Sequence, residues 1–370
     1  MTTIEELERR MFAEPNNPQH PLDLARVYHR AGQYDRALPL YEASLKLKAH
    51  PVVSFNMAVC WEQLGRIQRA EALLDPLVGD LAGMPAFFAV LGRIKAKLQK
   101  YDEAVAVLER ALSMEETVEG YYNHGFALDE LGQTERAERS YRAALALDPN
   151  HAQALNNLGL MCLNTGRPGE AVPLLSRATA LEPGNFITHI NLALAHTELQ
   201  QIPQAEEAMR RLPALFPDDP SVPFTIAKFY KYNLEQAAAS VPHFAVAVER
   251  APQRHQPEVL GEFAEVLFAT GRPAEAFAAL ERALSIDPND GDNLGRMAFG
   301  LLRSRQFEAA RGHFERALAL APQNGMALYG LCAVSIHLGD GAGARRWYQA
   351  MVALQFPKAE ELREAVARMG

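Results

Sequence analysis

An alanine returns every thirty-three to thirty-six residues along almost the whole chain: Ala37, Ala70, Ala104, Ala137, Ala171 and Ala205, then Ser240 in its place, then Ala276, Ala310 and Ala344. Four residues after each stands a large apolar group, from Tyr41 and Leu74 to Phe314 and Tyr348. Twelve residues before most of them lies a small one, from Ala25 and Ala58 to Ala298 and Cys332. Twelve residues after, Pro149, Pro183, Pro217, Pro252, Pro288 and Pro322 close the unit. A fixed period of this length means that one supersecondary unit repeats. Such a unit cannot bury its apolar face alone and must stack on its neighbours.

The unit is helical. In residues 152–185, Leu155, Leu158, Gly159 and Cys162 recur at helical spacing, and so do Ala171, Leu175 and Ala178 after the turn Thr165-Gly166-Arg167. The small residues let two antiparallel helices approach, the large ones fill the groove beside them, and the closing proline cannot continue the second helix. On these residues the chain resembles the tetratricopeptide repeat family over residues 18–358, with repeats starting near 18, 51, 85, 118, 152, 186, 221, 257, 291 and 325. The resemblance implies an all-α fold: an α-solenoid, a right-handed superhelix of about ten helix-turn-helix repeats.

Residues 1–17 read as an N-terminal capping helix, with the capping-box spacing Thr3-Ile4-Glu5-Glu6 and the stripe Ile4, Leu7, Met11. Residues 359–370 read as a C-terminal capping helix, with Leu362, Val366 and Met369 inward and Glu360, Glu361, Arg363 and Glu364 facing water. Irregularity is expected near residues 221–256, where Lys228 stands at the small position, Ser240 replaces the alanine and Gln253–Gln256 add length. Pro76 and Pro213 come late in their helices and should shorten or kink them.

Composition narrows the function. The net charge of −8 and the scattered Arg pairs do not form the basic stripe of a nucleic-acid reader. No apolar run reaches the length of a membrane helix, and the acidic start Met1-Thr2-Thr3-Ile4-Glu5-Glu6 is unlike a secretory signal, so a cytoplasmic location is expected. Cys60, Cys162 and Cys332 are odd in number, far apart and at apolar positions, as buried reduced thiols would be. No catalytic motif, cofactor loop or metal-ligand spacing emerges, and the chain reads as a non-enzyme without cofactor or metal. His189 and His196 share a face of one helix, but a rise of roughly 10 Å separates them, which fits core residues better than ligands.

The resemblance places binding residues on first helices, on the inner wall, at the second, fifth, sixth, ninth, twelfth and thirteenth positions of each repeat. The sixth position holds Asn56, Asn123, Asn157 and Asn191, with Asn156 beside them. Amides offer both donors and acceptors to an extended main chain. The run is similar to the asparagine ladder in the repeat domain of O-linked N-acetylglucosamine transferase, although no catalytic domain has room here. The ninth position supplies Val59, Phe126, Leu160, Leu194, Phe229 and Phe299, and the twelfth Leu163, Tyr232, Phe268, Leu302 and Ile336. Charge on the wall is split, with Arg26, Arg30, Arg93 and Lys97 early and Glu258, Glu262 and Glu265 late, and Arg296 interrupts the ladder. The expected partner is another protein, held as an extended segment by a scaffold or adaptor. The alternatives are a structural subunit of a secretion, pilus or envelope-assembly complex, and a regulatory or substrate-recruiting subunit of a protein-modifying enzyme. The carboxylate clamp that some members of the family carry is not matched, because no repeat supplies its opening Lys and Asn. Oligomeric state is not specified.

Overall fold

The computed structural model describes residues 3–369; Met1 and Thr2 of the leading segment and Gly370 of the closing one lie outside the described residues. Among the described residues there is no strand, and the helices fall into two compact units, 1–199 and 200–370. The first unit opens with α1 (Ile4–Ala13) and continues as hairpins α2 (Gln19–Arg30) with α3 (Tyr34–Leu47), α4 (Pro51–Gln63) with α5 (Ile67–Leu74), and α6 (Pro85–Lys97) with α7 (Tyr101–Met114). Two more follow, α8 (Val118–Glu130) with α9 (Thr134–Leu147) and α10 (Ala152–Asn164) with α11 (Pro168–Leu181), and then α12 (Phe186–Glu198). The second unit comprises α13 (Ile202–Leu215), α14 (Val222–Lys228) with α15 (Ala237–Arg250), and α16 (Gln256–Ala269) with α17 (Pro273–Ile286). It continues with α18 (Gly291–Arg303) and α19 (Phe307–Leu320), α20 (Gly325–His337) and α21 (Gly341–Ala353), and ends with α22 (Ala359–Ala367).

The small-and-large pattern is the packing rule of the hairpin. Each recurring alanine, and Ser240 in its place, has no exposed surface, and neither do Tyr41, Leu74, Leu108, Tyr141, Leu175, Met209, Phe244, Leu280 and Phe314. A methyl group added to Gly92 would meet the Leu108 side chain, one on Gly125 would lie 2.9 Å from the Tyr141 ring, and one on Gly159 would lie 2.7 Å from Leu175 Cγ. Leu108, Tyr141 and Leu175 therefore each rest on the bare backbone of a helix sixteen residues upstream. The turn between the two helices requires one residue in the left-handed region. Gly32, Gly65, Gly132, Gly166, Gly271 and Gly339 supply it at φ between 70° and 75°, whereas Gln99, Gln200 and Arg305 adopt it at 58–61° despite their side chains.

Second helices are tied to the preceding repeat's loop by an arginine. Arg316 Nη2 donates to the Pro288 carbonyl at 2.8 Å, Arg250 Nη1 to that of Pro217 at 3.2 Å, and Arg177 Nη2 to Asn150 Oδ1 at 2.6 Å. At the N-terminus the capping box is formed, with Glu6 N–H donating to Thr3 Oγ1 and Thr3 N–H to Glu6 Oε2.

Two expectations need correction. Pro76 does end α5, at eight residues, followed by a 3₁₀ turn at Asp75–Leu77, but α13 runs through Pro213 to Leu215 at full length. In repeat seven the small residue is not Lys228, which is exposed. It is Ala227, with no exposed surface. Thirteen residues rather than twelve then separate it from Ser240, and the extra one is absorbed in a π-helical turn, Phe229–Asn233, that follows α14. The turn shifts the residues between Ala227 and Ser240 by one position relative to the other repeats.

Within each unit the first helices pack directly on one another: α6 on α8 and α10 on α12 in the first, α16 on α18 and α18 on α20 in the second. They form a wall of their own beside the second helices, and this wall carries the candidate site.

Candidate functional site

In the first unit the asparagines are linked to each other and to the core. Asn191 Nδ2 donates to Asn156 Oδ1 at 3.2 Å, Asn156 Nδ2 to Asn157 Oδ1 at 3.1 Å, and Asn157 Nδ2 to Tyr141 Oη at 3.3 Å. The result is one chain of amides running α12–α10–α9. Asn123 Nδ2 donates to the Glu119 carbonyl of its own helix at 2.8 Å, and Asn123 and Asn191 are buried. Asn56, Asn156 and Asn157 are half-buried. A helix is a costly place for Asn unless the amide finds partners; neighbouring repeats provide them for Asn156, Asn157 and Asn191, and the helix's own backbone for Asn123. The sixth position thus faces the seam between repeats as much as the open wall. Phe126, Leu160 and Leu194 are half-buried, Phe126 standing edge-on to Tyr101 of the preceding repeat at 6.3 Å.

Much of the expected split of charge is neutralised in place, although Arg30 and Glu258 are exposed and have no ion pair among the described residues. Glu62 has no exposed side-chain surface and accepts from Arg93 Nε and Nη2 and from Lys97 Nζ, each at 2.7 Å. Burial pushes its carboxyl up, but those hydrogen bonds and charges outweigh burial and hold it below the ordinary carboxylate value. Arg26, exposed, lies 3.8 Å from Asp23. In the second unit Lys231 donates to Glu262 and Glu265 at 2.6 Å, and Tyr232 Oη donates to Glu262 at 2.6 Å. Arg296 Nε donates to Glu265 Oε1, also at 2.6 Å. Lys231 reaches these carboxylates because the π turn moves it onto the wall. The same turn buries Phe229, which is 3 % exposed and belongs to the core instead of the groove.

Where the wall opens is between α16, α18 and α20. A cavity of about 540 Å³ is lined there by Phe268, Gly295, Arg296, Phe299, Arg303 and Met326, among others. It brings Arg296 together with Phe268 and Phe299, expected at the twelfth and ninth positions. Asp292, Gly295 and Arg303 occupy the second, fifth and thirteenth positions of the same repeat, where the positional rule of the repeat points to them. The ladder asparagines are not part of it.

Among the described residues the cysteines of the wall are not prepared as nucleophiles. Cys60 and Cys332 have no exposed surface, and burial pushes their thiols up to about 12 and about 11. His189 is buried with Nε2 3.0 Å from the Pro183 carbonyl. Among the described residues no group of three His, Cys, Asp or Glu is arranged to hold a metal ion, and no helix is long and apolar enough to cross a membrane.

Stacked helical hairpins of this register define a class of helical repeat protein. Family profiles described as tetratricopeptide repeat match residues 28–94, 163–222 and 301–369, residues 122–186, and residues 86–117 and 257–290. The chain belongs to the tetratricopeptide repeat family. Among curated proteins it is 26 % identical over 176 residues to human protein O-mannosyl-transferase TMTC1, which covers 46 % of this chain and 20 % of that protein. It is 28 % identical over 166 residues to tetratricopeptide repeat protein 8 of Caenorhabditis elegans, covering 44 % of this chain and 33 % of that one. The chain therefore spans about a fifth to a third of the length of these relatives, and the activity in the first name is that of the longer protein. A solved tetratricopeptide repeat protein from Parabacteroides merdae matches at 17 % identity with a TM-score of 0.49, over 68 % of this chain and 98 % of that one.

Proposed function

We propose that this chain is a non-catalytic adaptor whose first-helix walls hold an extended segment of a partner protein. The observation that carries this reading is the cavity of about 540 Å³ on α16, α18 and α20. Pockets of about 300–1,000 Å³ with an apolar lining and a few polar groups are the usual size for a small ligand, and a large side chain with its flanking backbone fits within one. The first unit's wall has its own apolar lining of half-buried Phe126, Leu160 and Leu194, with Asn56, Asn156 and Asn157 as polar rungs. Most of the wall's central charges are paired internally, so apolar side chains supply most of the affinity, and the few exposed charges add a smaller, salt-sensitive share.

The test is to pan a displayed library of random twelve-residue peptides on the full chain and follow hydrogen exchange with an enriched peptide bound. Protection concentrated in first helices supports the adaptor reading. Protection confined to second helices, or loss of all binding only at high salt, overturns it and favours a structural subunit engaged through the outer face. Replacing Asn56, Asn156 and Asn157 by alanine then separates wall rungs from packing: helicity is retained and affinity for a peptide bound in the first unit falls.

A further inference from the structure

The geometry of repeat nine points to an anchor site for one kind of segment: an extended peptide carrying an aromatic residue with an acidic residue two positions away. This inference rests on the adaptor reading and gives its occupant a chemistry. The floor is aromatic and fixed. Phe299 meets Phe314 edge-on at 4.8 Å, and Phe268 meets Phe277 edge-on at 5.2 Å. Phe268 reaches its place because Gly300 has no side chain, since a methyl there would lie 2.5 Å from the Phe268 ring. Gly295 is different. It sits inside α18, where glycine is a poor helix former, yet a methyl at that position would meet nothing within 4 Å. Packing does not require this glycine. What it leaves open is the cavity, so that a ligand's backbone can lie against the helix.

Two exposed charges without an ion pair among the described residues line the cavity, Asp292 and Arg303, and the one nearer Phe299 gives the ligand its sign. Asp292 stands seven residues before Phe299, about 10 Å along the helix. Arg296 is committed to Glu265 and, through Nη1, to Asn293 Oδ1 at 3.3 Å. Arg303 also lines the cavity, is exposed, and pairs with no carboxylate among the described residues. It stands four residues beyond Phe299, about 6 Å along the helix, which an extended peptide spans in two residues. An aromatic side chain on Phe299 thus brings a carboxylate two residues on to the Arg303 guanidinium, a geometry suited to a bidentate pair.

The probe is the fluorescein-labelled peptide Ala-Ala-Trp-Ala-Glu-Ala, titrated against the full chain by fluorescence anisotropy. Saturable binding is expected. Gly295→Leu fills the cavity and weakens binding at least tenfold, whereas Gly312→Leu, at an equally open helical glycine of α19 outside the cavity, leaves it unchanged. Arg303→Glu weakens it about tenfold, and a probe with Lys in place of Glu recovers affinity for that variant. Three results overturn the site: no saturable binding below 1 mM, equal affinity for Gly295→Leu, or a concentration-dependent dimer of the chain that Gly295→Leu abolishes while the probe stays unbound. Library peptides that protect first helices outside repeat nine, together with an indifferent Gly295→Leu, remove this site and leave the adaptor reading standing.

Discussion

Arg93 clasps Glu62 with two hydrogen bonds of 2.7 Å, across a separation of 31 residues that is close to one repeat. The carboxylate is wholly buried and also takes Lys97, so its loss leaves two neighbouring cations on the seam between α4 and α6. Breaking a buried pair costs about 3–5 kcal/mol, and since Arg93 keeps part of its surface in water, Glu62→Gln should cost about 2 kcal/mol. Urea unfolding of the Glu62→Gln, Arg93→Met double-mutant cycle measures it. A single-variant loss under about 0.5 kcal/mol, the usual range for a surface change, contradicts the assignment.

Gly159 bears the Leu175 side chain on its backbone, and a methyl there would sit 2.7 Å from Leu175 Cγ. Overpacking at such a contact costs about 1–3 kcal/mol, so Gly159→Ala should destabilise by that amount although alanine is the better helix former. A variant as stable as the parent in thermal unfolding would mean that the hairpin interior is loosely packed.

Arg305 holds φ at 59° in a turn where six other repeats place glycine. The left-handed conformation costs a side-chain-bearing residue about 1 kcal/mol or more, partly offset by the extra freedom glycine has when unfolded. Arg305→Gly should therefore raise stability by about 0.5–1 kcal/mol, and Gly271→Ala should lower it by about 1 kcal/mol. Opposite shifts of the urea midpoint confirm the turn geometry; shifts of the same sign refute it.

The fold was legible because its packing rule is local: small and large residues at fixed spacing need no knowledge of distant partners. The register slipped where one residue was added. Ala227 and Lys228 stand side by side, and only the π turn decides which of them is buried. The pairing of the candidate residues was less legible than their place on the helices. Arg93, Glu262, Glu265 and Arg296 stand on first helices, and their charged partners lie 31 to 34 residues away, an offset of about one repeat. Opposite charges at that offset are the signal that would have shown the pairing. The asparagines follow the same rule, since Asn191 and Asn156 are 35 residues apart.

Acid should unfold this protein in two stages. Burial lowers His29, His124, His243 and His313 from the ordinary 6.5, so the folded chain keeps them neutral while the unfolded chain binds protons. Their contribution is complete above about pH 6.5 and declines as pH falls through 6.5 toward the lowered folded values. For Glu62, Glu71 and Glu265 burial raises the carboxyl but the ion pairs outweigh it, and Glu138, hydrogen-bonded first by Arg167 and then by Arg142, is brought down to about 2. What these carboxylates contribute is present above 4.5 and disappears as pH falls from there toward 2. On the alkaline side Lys231 keeps its charge: burial lowers it, but Glu262 and Glu265 raise it above 10.5, so its contribution holds until pH passes that value. Urea midpoints measured from pH 8 to pH 3 should show a plateau, a first decline beginning near 6.5 and a steeper one below about 4.5. His124→Gln, with the Ser140 hydrogen bond at 2.9 Å still available to an amide, should reduce the first decline and leave the second intact. A midpoint that stays flat from pH 8 to 5 shows that these histidines take up protons without unfolding.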